Sequence, residues 1–174
     1  MFNAARTIIA LVLAAGPAGG HTDVATSNVV AISRVRTESA EVRHLIDETA
    51  SRSPTVRALL ARLAVTDTIV YVEFTPSPLV PTARTKFVTT ATGARFLRIG
   101  ININAAPADR GPWLGHELQH ALEIAERRDV RDESAVRALY HRIGRSHGAD
   151  QSETDGARSV EWAVRAELRI KMGG

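Results

Sequence analysis

Gly115-His116-Glu117-Leu118-Gln119-His120-Ala121-Leu122-Glu123 lies within a stretch, 110–129, whose apolar residues recur at helical spacing. On a wheel of about 100° per residue, Leu114, Leu118, Ala121, Leu122 and Ala125 fall on one side. His116, His120, Glu123 and Arg127 fall on the other. The stretch therefore reads as a core helix that buries its leucines and turns both histidines towards a polar cleft.

Working outward, Ser39 to Ser51 places Val42, Leu45, Ile46 and Thr49 at helical spacing, and Pro54 starts a second helix carrying Val56, Leu59, Leu60 and Leu63. Ile69 to Phe74 is β-branched and aromatic and is closed by Pro76 and Pro78, as a strand is. Lys86 to Ala91 and Arg95 to Asn102 flank the turn pair Thr92-Gly93 and read as a hairpin. Further helices are expected at 133–145 and 152–171. The plan is α+β: N-terminal helices, a small and mostly antiparallel sheet, then the histidine helix and C-terminal helices.

The first twenty residues have Arg6, an apolar run from Thr7 to Ala15 and small residues through Gly20, the pattern of a cleavable export signal. The run falls short of the ~20 residues that span a bilayer, so no stable membrane insertion of the mature chain is expected. Segment 21–36 is polar and lacks periodicity, which suggests a flexible mature N-terminus ahead of one domain at 37–174. The destination implied is secreted or periplasmic.

Composition closes several other routes. The net charge of +3 comes from basic and acidic residues mixed along the chain, and aromatics make up only 5%, so no nucleic-acid-binding stripe is present. With no cysteine, thiol nucleophiles, disulfide scaffolds and cysteine-ligated zinc are excluded. Any metal must be held by histidine and carboxylate.

His116-Glu117-Leu118-Gln119-His120 meets that requirement. Residues four apart on a helix stack on one face, so both imidazoles can reach one ion while Glu117 stands beside them. Imidazole and carboxylate suit Zn2+. A third ligand is needed. Glu153, expected to open the last helix after Ser152 with Asp155 in a capping box, shares its face with Ala157, Val160, Val164 and Leu168. A carboxylate at the end of an apolar face is costly unless paired or bound to metal, which favours Glu153. His141, His147 and Glu126 are the competing candidates. His147 could also stabilise an oxyanion. Glu123 belongs to the cleft wall or behind a ligand imidazole, and Tyr140 reads chiefly as a packing residue.

With a glutamate on a following helix, the motif resembles the gluzincin, thermolysin-like branch of the HExxH zincin metallopeptidases in a minimal single-domain form. Metzincins are a poor match: Glu123 stands where they need glycine, and the methionines here are Met1 and Met172. Thermolysin-like enzymes pair Asn-Glu with a downstream Asp, which is missing after Ser152-Glu153 in this chain. The resemblance implies hydrolysis of peptide or protein substrates, with Glu117 as general base on a zinc-bound water. It also implies that Arg95 to Asn102 lines the cleft and accepts an extended peptide at its edge. The alternative is a catalytically inactive, zinc-stabilised binding protein of the cell envelope.

Overall fold

The computed structural model describes residues 34–76, 82–146 and 152–170. The expected export signal, most of segment 21–36 and His147 lie outside them. The first element, β1 (Val35–Arg36), pairs in parallel with β2 (Thr68–Thr75), Val35 opposite Val70. Val35 is buried in the core. The expected boundary at 37 therefore falls too late, because a two-residue strand carries too little alternation to register as a period.

Helix α1 (Ala40–Arg52) is capped by Ser39, whose side chain accepts from Val42 N. The Ser53-Pro54 pair ends it and begins α2 (Pro54–Ala64): Ser53 N donates to Thr49 O, while the Ser53 hydroxyl accepts from Val56 N. Val42 and Ile46 from α1, and Val56, Leu59, Leu60 and Leu63 from α2, are buried in the common core. Each such side chain contributes about 1.5–3 kcal/mol on leaving water.

Strands β3 (Ala83–Ala91) and β4 (Ala94–Asn102) form the expected hairpin. Its turn residues Thr92 and Gly93 have φ of 49° and 80°. Positive φ at both positions matches the twist of a tight hairpin, which is why glycine stands second. The sheet order is β1-β2-β4-β3, and β4 runs parallel to β2 from Thr68↔Arg95 to Thr75↔Asn102. The sheet is thus mixed rather than mostly antiparallel, with β3–β4 its antiparallel pair. Burial decides which hairpin strand lies beside β2. Leu97, Ile99 and Ile101 of β4 are fully buried, whereas β3 exposes Lys86, Val88 and Thr89 and suits an edge.

Helix α3 (Pro107–Ala125) touches β3 and β4 and also α2 and α5 (Asp155–Ile170). It buries Leu114, Leu118, Ala121, Leu122 and Ala125, the side expected from the wheel. Its N-terminus lies at Pro107, and it ends earlier than the periodicity suggests because Arg95 stops it. The Arg95 side chain is 0% exposed and donates to the carbonyls of Ile124 (2.8 Å), Ala125 (2.6 Å), Arg127 (2.7 Å) and Val130 (3.2 Å). A cation at a helix C-terminus satisfies its orphan carbonyls and opposes its dipole. The charge itself is balanced by Asp67, which Arg95 Nε meets at 2.9 Å.

After α4 (Glu133–Ile143), capped by Asp132, the short strands β5 (Arg145–Ser146) and β6 (Ser152–Glu153) pair and lead into α5. Helix α5 lies close on α3 because Gly111 and Gly115 present no side chain there. A Cβ at Gly115 would stand 2.8 Å from Val164 Cγ2, and one at Gly111 2.8 Å from Leu168 Cδ1. Among the described residues no helix is long and apolar enough to cross a membrane.

Candidate metal centre

The i,i+4 spacing on α3 brings His116 Nε2 and His120 Nε2 to 3.1 Å, with ring centroids 4.8 Å apart. From β6, Glu153 places Oε1 3.5 Å from His116 Nε2. One ligand atom from each of the three lies within 4.8 Å of the others. Two ligands about 2.0–2.1 Å from one tetrahedral zinc lie roughly 3.3 Å from each other, so the 3.1 and 3.5 Å separations at His116 are of the size that a single ion needs. The proton inventory fits as well. Each neutral imidazole carries one N–H, and if a cation were held by both Nε2 lone pairs, both Nδ1 atoms would be left as donors. His116, His120 and Glu153 are therefore a cluster able to hold a divalent metal ion.

Glu153 reaches the cluster by a route other than the expected one. It precedes α5 instead of opening it, and Thr154 is the cap: its hydroxyl accepts from Ala157 N at 3.0 Å. The expected capping box of Ser152 and Asp155 gives way because pairing with β5 holds Ser152 and Glu153 extended. Asp155 is exposed, as its outward wheel position implies.

Carboxylates stand behind both rings. Glu123 Oε2 lies 3.0 Å from His120 Nδ1, and its Oε1 accepts from Thr154 Oγ1 (2.8 Å) and Gln119 Nε2 (3.2 Å). Burial disfavours the charged form of His120, but the Glu123 hydrogen bond and the charges of Glu117, Glu123 and Glu153 outweigh it and raise its pKa. Glu123 shows the converse. Burial pushes its carboxyl up, yet the hydrogen bond and charge of His120 hold it below the usual range. Glu123 thus lies behind the His120 imidazole. Glu161 Oε2, from α5, lies 3.4 Å from His116 Nδ1.

Glu117 is 5% exposed and faces the edge strand, where Thr85 Oγ1 donates to its Oε2 at 2.6 Å. Strand β4, expected to offer its edge to a peptide, is paired on both sides; among the described residues the edge strands are β1 and β3, and β3 is the one whose Thr85 bonds Glu117. Tyr140 packs edge-on against His120 at 5.4 Å and donates to His120 O at 3.3 Å, and burial raises its pKa. Its hydroxyl is 3.3 Å from Nδ1, behind the ring.

Two competing ligand candidates lie elsewhere: His141 is exposed on α4, and Glu126 is exposed and ion-paired with Arg62. Sequence reading did not single out Thr85, Arg95, Thr154 or Glu161. The acid at 161 had one available signal, its position two helical turns beyond Glu153 on the expected helix. Thr85 and Arg95 had none, since their partners are distant in the chain.

No protein-family model, curated protein or solved structure matches this chain. The site stands on its own geometry: a His116, His120 and Glu153 cluster with metal-ligand spacing in an α+β fold.

Proposed function

We propose that this chain is an exported zinc-dependent metallopeptidase that hydrolyses peptide bonds, with His116, His120 and Glu153 holding the ion and Glu117 as general base. The observation that carries the reading is the convergence of those three side chains from α3 and β6 beside a buried glutamate. Bound zinc acidifies water and polarises a carbonyl. Glu117, its Oε2 held by Thr85, takes a proton from water and passes it to the leaving amine. An extended substrate adds to the free edge of β3 by main-chain hydrogen bonds, which brings its carbonyl alongside α3. Export rests on the composition of residues 1–20.

One observation favours a second reading, a zinc-stabilised binding protein without turnover. The Tyr140 hydroxyl, a group suited to steadying an oxyanion, is engaged behind His120 instead.

The experiment is elemental analysis and peptide hydrolysis on wild type, His116→Ala and Glu117→Gln. The peptidase reading expects about one zinc per chain, lost in His116→Ala, and a Glu117→Gln protein that keeps zinc and loses turnover. Zinc without hydrolysis in the wild type selects the binding protein. Undiminished hydrolysis in Glu117→Gln sinks the assignment of the base.

A further inference from the structure

His120 and His116 are supported differently. Glu123, which backs His120, comes from the same helix and is hydrogen-bonded to its Nδ1 at 3.0 Å, with Thr154 and Gln119 holding its other oxygen. His116 Nδ1 is buried and makes no hydrogen bond. The carboxylate facing it is Glu161, Oε2 at 3.4 Å, outside hydrogen-bonding alignment. Glu161 is itself anchored: Arg165 Nη2 donates to its Oε1 at 3.0 Å, and Arg165 Nη1 is bound to Asp109 in the first turn of α3. One carboxylate oxygen is thus committed to Arg165 while the other is directed at the imidazole.

From this we infer that Glu161, held by Arg165, is the positioning residue for His116, accepting Nδ1–H when Nε2 is engaged on a metal ion. A neutral imidazole that gives its Nε2 lone pair to a cation must carry its proton on Nδ1, and a buried N–H left without an acceptor is destabilising. Glu161 is the acceptor in reach, and a small rotation of either side chain closes the bond. Helix α5 then serves the site twice, through Glu153 just before its start and through Glu161 two turns on. The chain Asp109, Arg165, Glu161, His116 ties that helix back to α3. The close approach at Gly115 makes this reach possible, because α5 carries Glu161 right against the histidine face.

The inference rests on the metal site proposed above, and its test separates the two. Zinc affinity is measured by chelator competition on the full chain for wild type, Glu161→Ala, Glu161→Gln and Glu167→Ala, with cobalt(II) absorption spectra as the second readout. Glu161→Ala is expected to bind zinc about 10- to 100-fold more weakly and to shift the cobalt bands. Glu161→Gln, which keeps the volume and a neutral acceptor, recovers part of the loss. Glu167 lies on the same helix but accepts from Ser53 and Thr55, so Glu167→Ala lowers the unfolding temperature and leaves zinc affinity unchanged. A wild type that binds zinc alongside a Glu161→Ala protein of equal affinity and identical cobalt spectrum overturns this inference alone. A wild type that binds no zinc overturns the metal site with it. Should Glu161→Ala not fold, Glu161→Gln decides: affinity and spectrum equal to wild type refute the role.

Discussion

Thr85, on the free-edge strand β3, donates its hydroxyl to Glu117 of α3, Oγ1 to Oε2 at 2.6 Å. The same oxygen lies 3.1 Å from the backbone carbonyl of Glu117. The bond joins the strand that would receive a substrate to the carboxylate that would act on water, and it sets the Glu117 rotamer.

Replacing Thr85 by Val keeps the shape and removes the donor. Turnover of Thr85→Val should fall by roughly 10- to 100-fold, the scale of a misplaced catalytic group. Its zinc content should stay at the wild-type level, and Thr85→Ser should restore most of the rate. Steady-state kinetics beside elemental analysis reads both; equal turnover in Thr85→Val and wild type would mean that the bond does not position the base.

The buried Arg95 predicts a stability effect remote from the chemistry. Arg95→Met leaves the carbonyls at the end of α3 without donors and Asp67 without its main cation. The expected loss is about 3–5 kcal/mol, the scale of breaking a buried charged pair. Urea unfolding measures it, and a loss below about 1 kcal/mol would show that water replaces the guanidinium.

Asp67 gives that interaction a pH signature. Burial raises its pKa, but the hydrogen bond and charge of Arg95 and the charge of Arg131 together bring it below the ordinary 3.8. Because the folded value lies below the unfolded one, this contribution is fully present above about pH 4 and is lost as pH falls through the depressed value. In stability-versus-pH curves from urea unfolding, Asp67→Asn should therefore show a shallower decline on the acid side than wild type. Parallel acid limbs would assign the decline to other carboxylates.

Gly115 and Gly111 should respond differently to alanine. At Gly115 the added Cβ meets the stiff, buried Val164, 2.8 Å away. Overpacking of about 1–3 kcal/mol should outweigh the roughly 1 kcal/mol gained in helix propensity. At Gly111 the nearest atom is the end of the more flexible Leu168 side chain, so the cost should be smaller. Urea unfolding ranks the two. Gly115→Ala should also weaken zinc binding by pushing away α5, which follows directly on Glu153; a Gly111→Ala protein less stable than Gly115→Ala would contradict this packing.

Much of this protein is local information, and that part is legible in the sequence. The period of Leu114, Leu118 and Leu122 determines which face of α3 is buried, and the i,i+4 spacing of His116 and His120 sets two imidazoles side by side whatever surrounds them. Thr92-Gly93 determines the hairpin, since its backbone needs positive φ. Ser53-Pro54 determines where one helix stops and the next begins. Other features depend on residues far apart in the chain, and no period or motif encodes them. A hairpin does not state which of its strands will lie beside β2; shared burial with the helices made β4 central and turned the sheet mixed. The end of α3 is decided by Arg95, from a strand that precedes it. The convergence of Glu153 on the histidine pair and the approach of Glu161 behind His116 arise only when α5 settles on the two glycines of α3. Side chains with no common local element can meet only through packing.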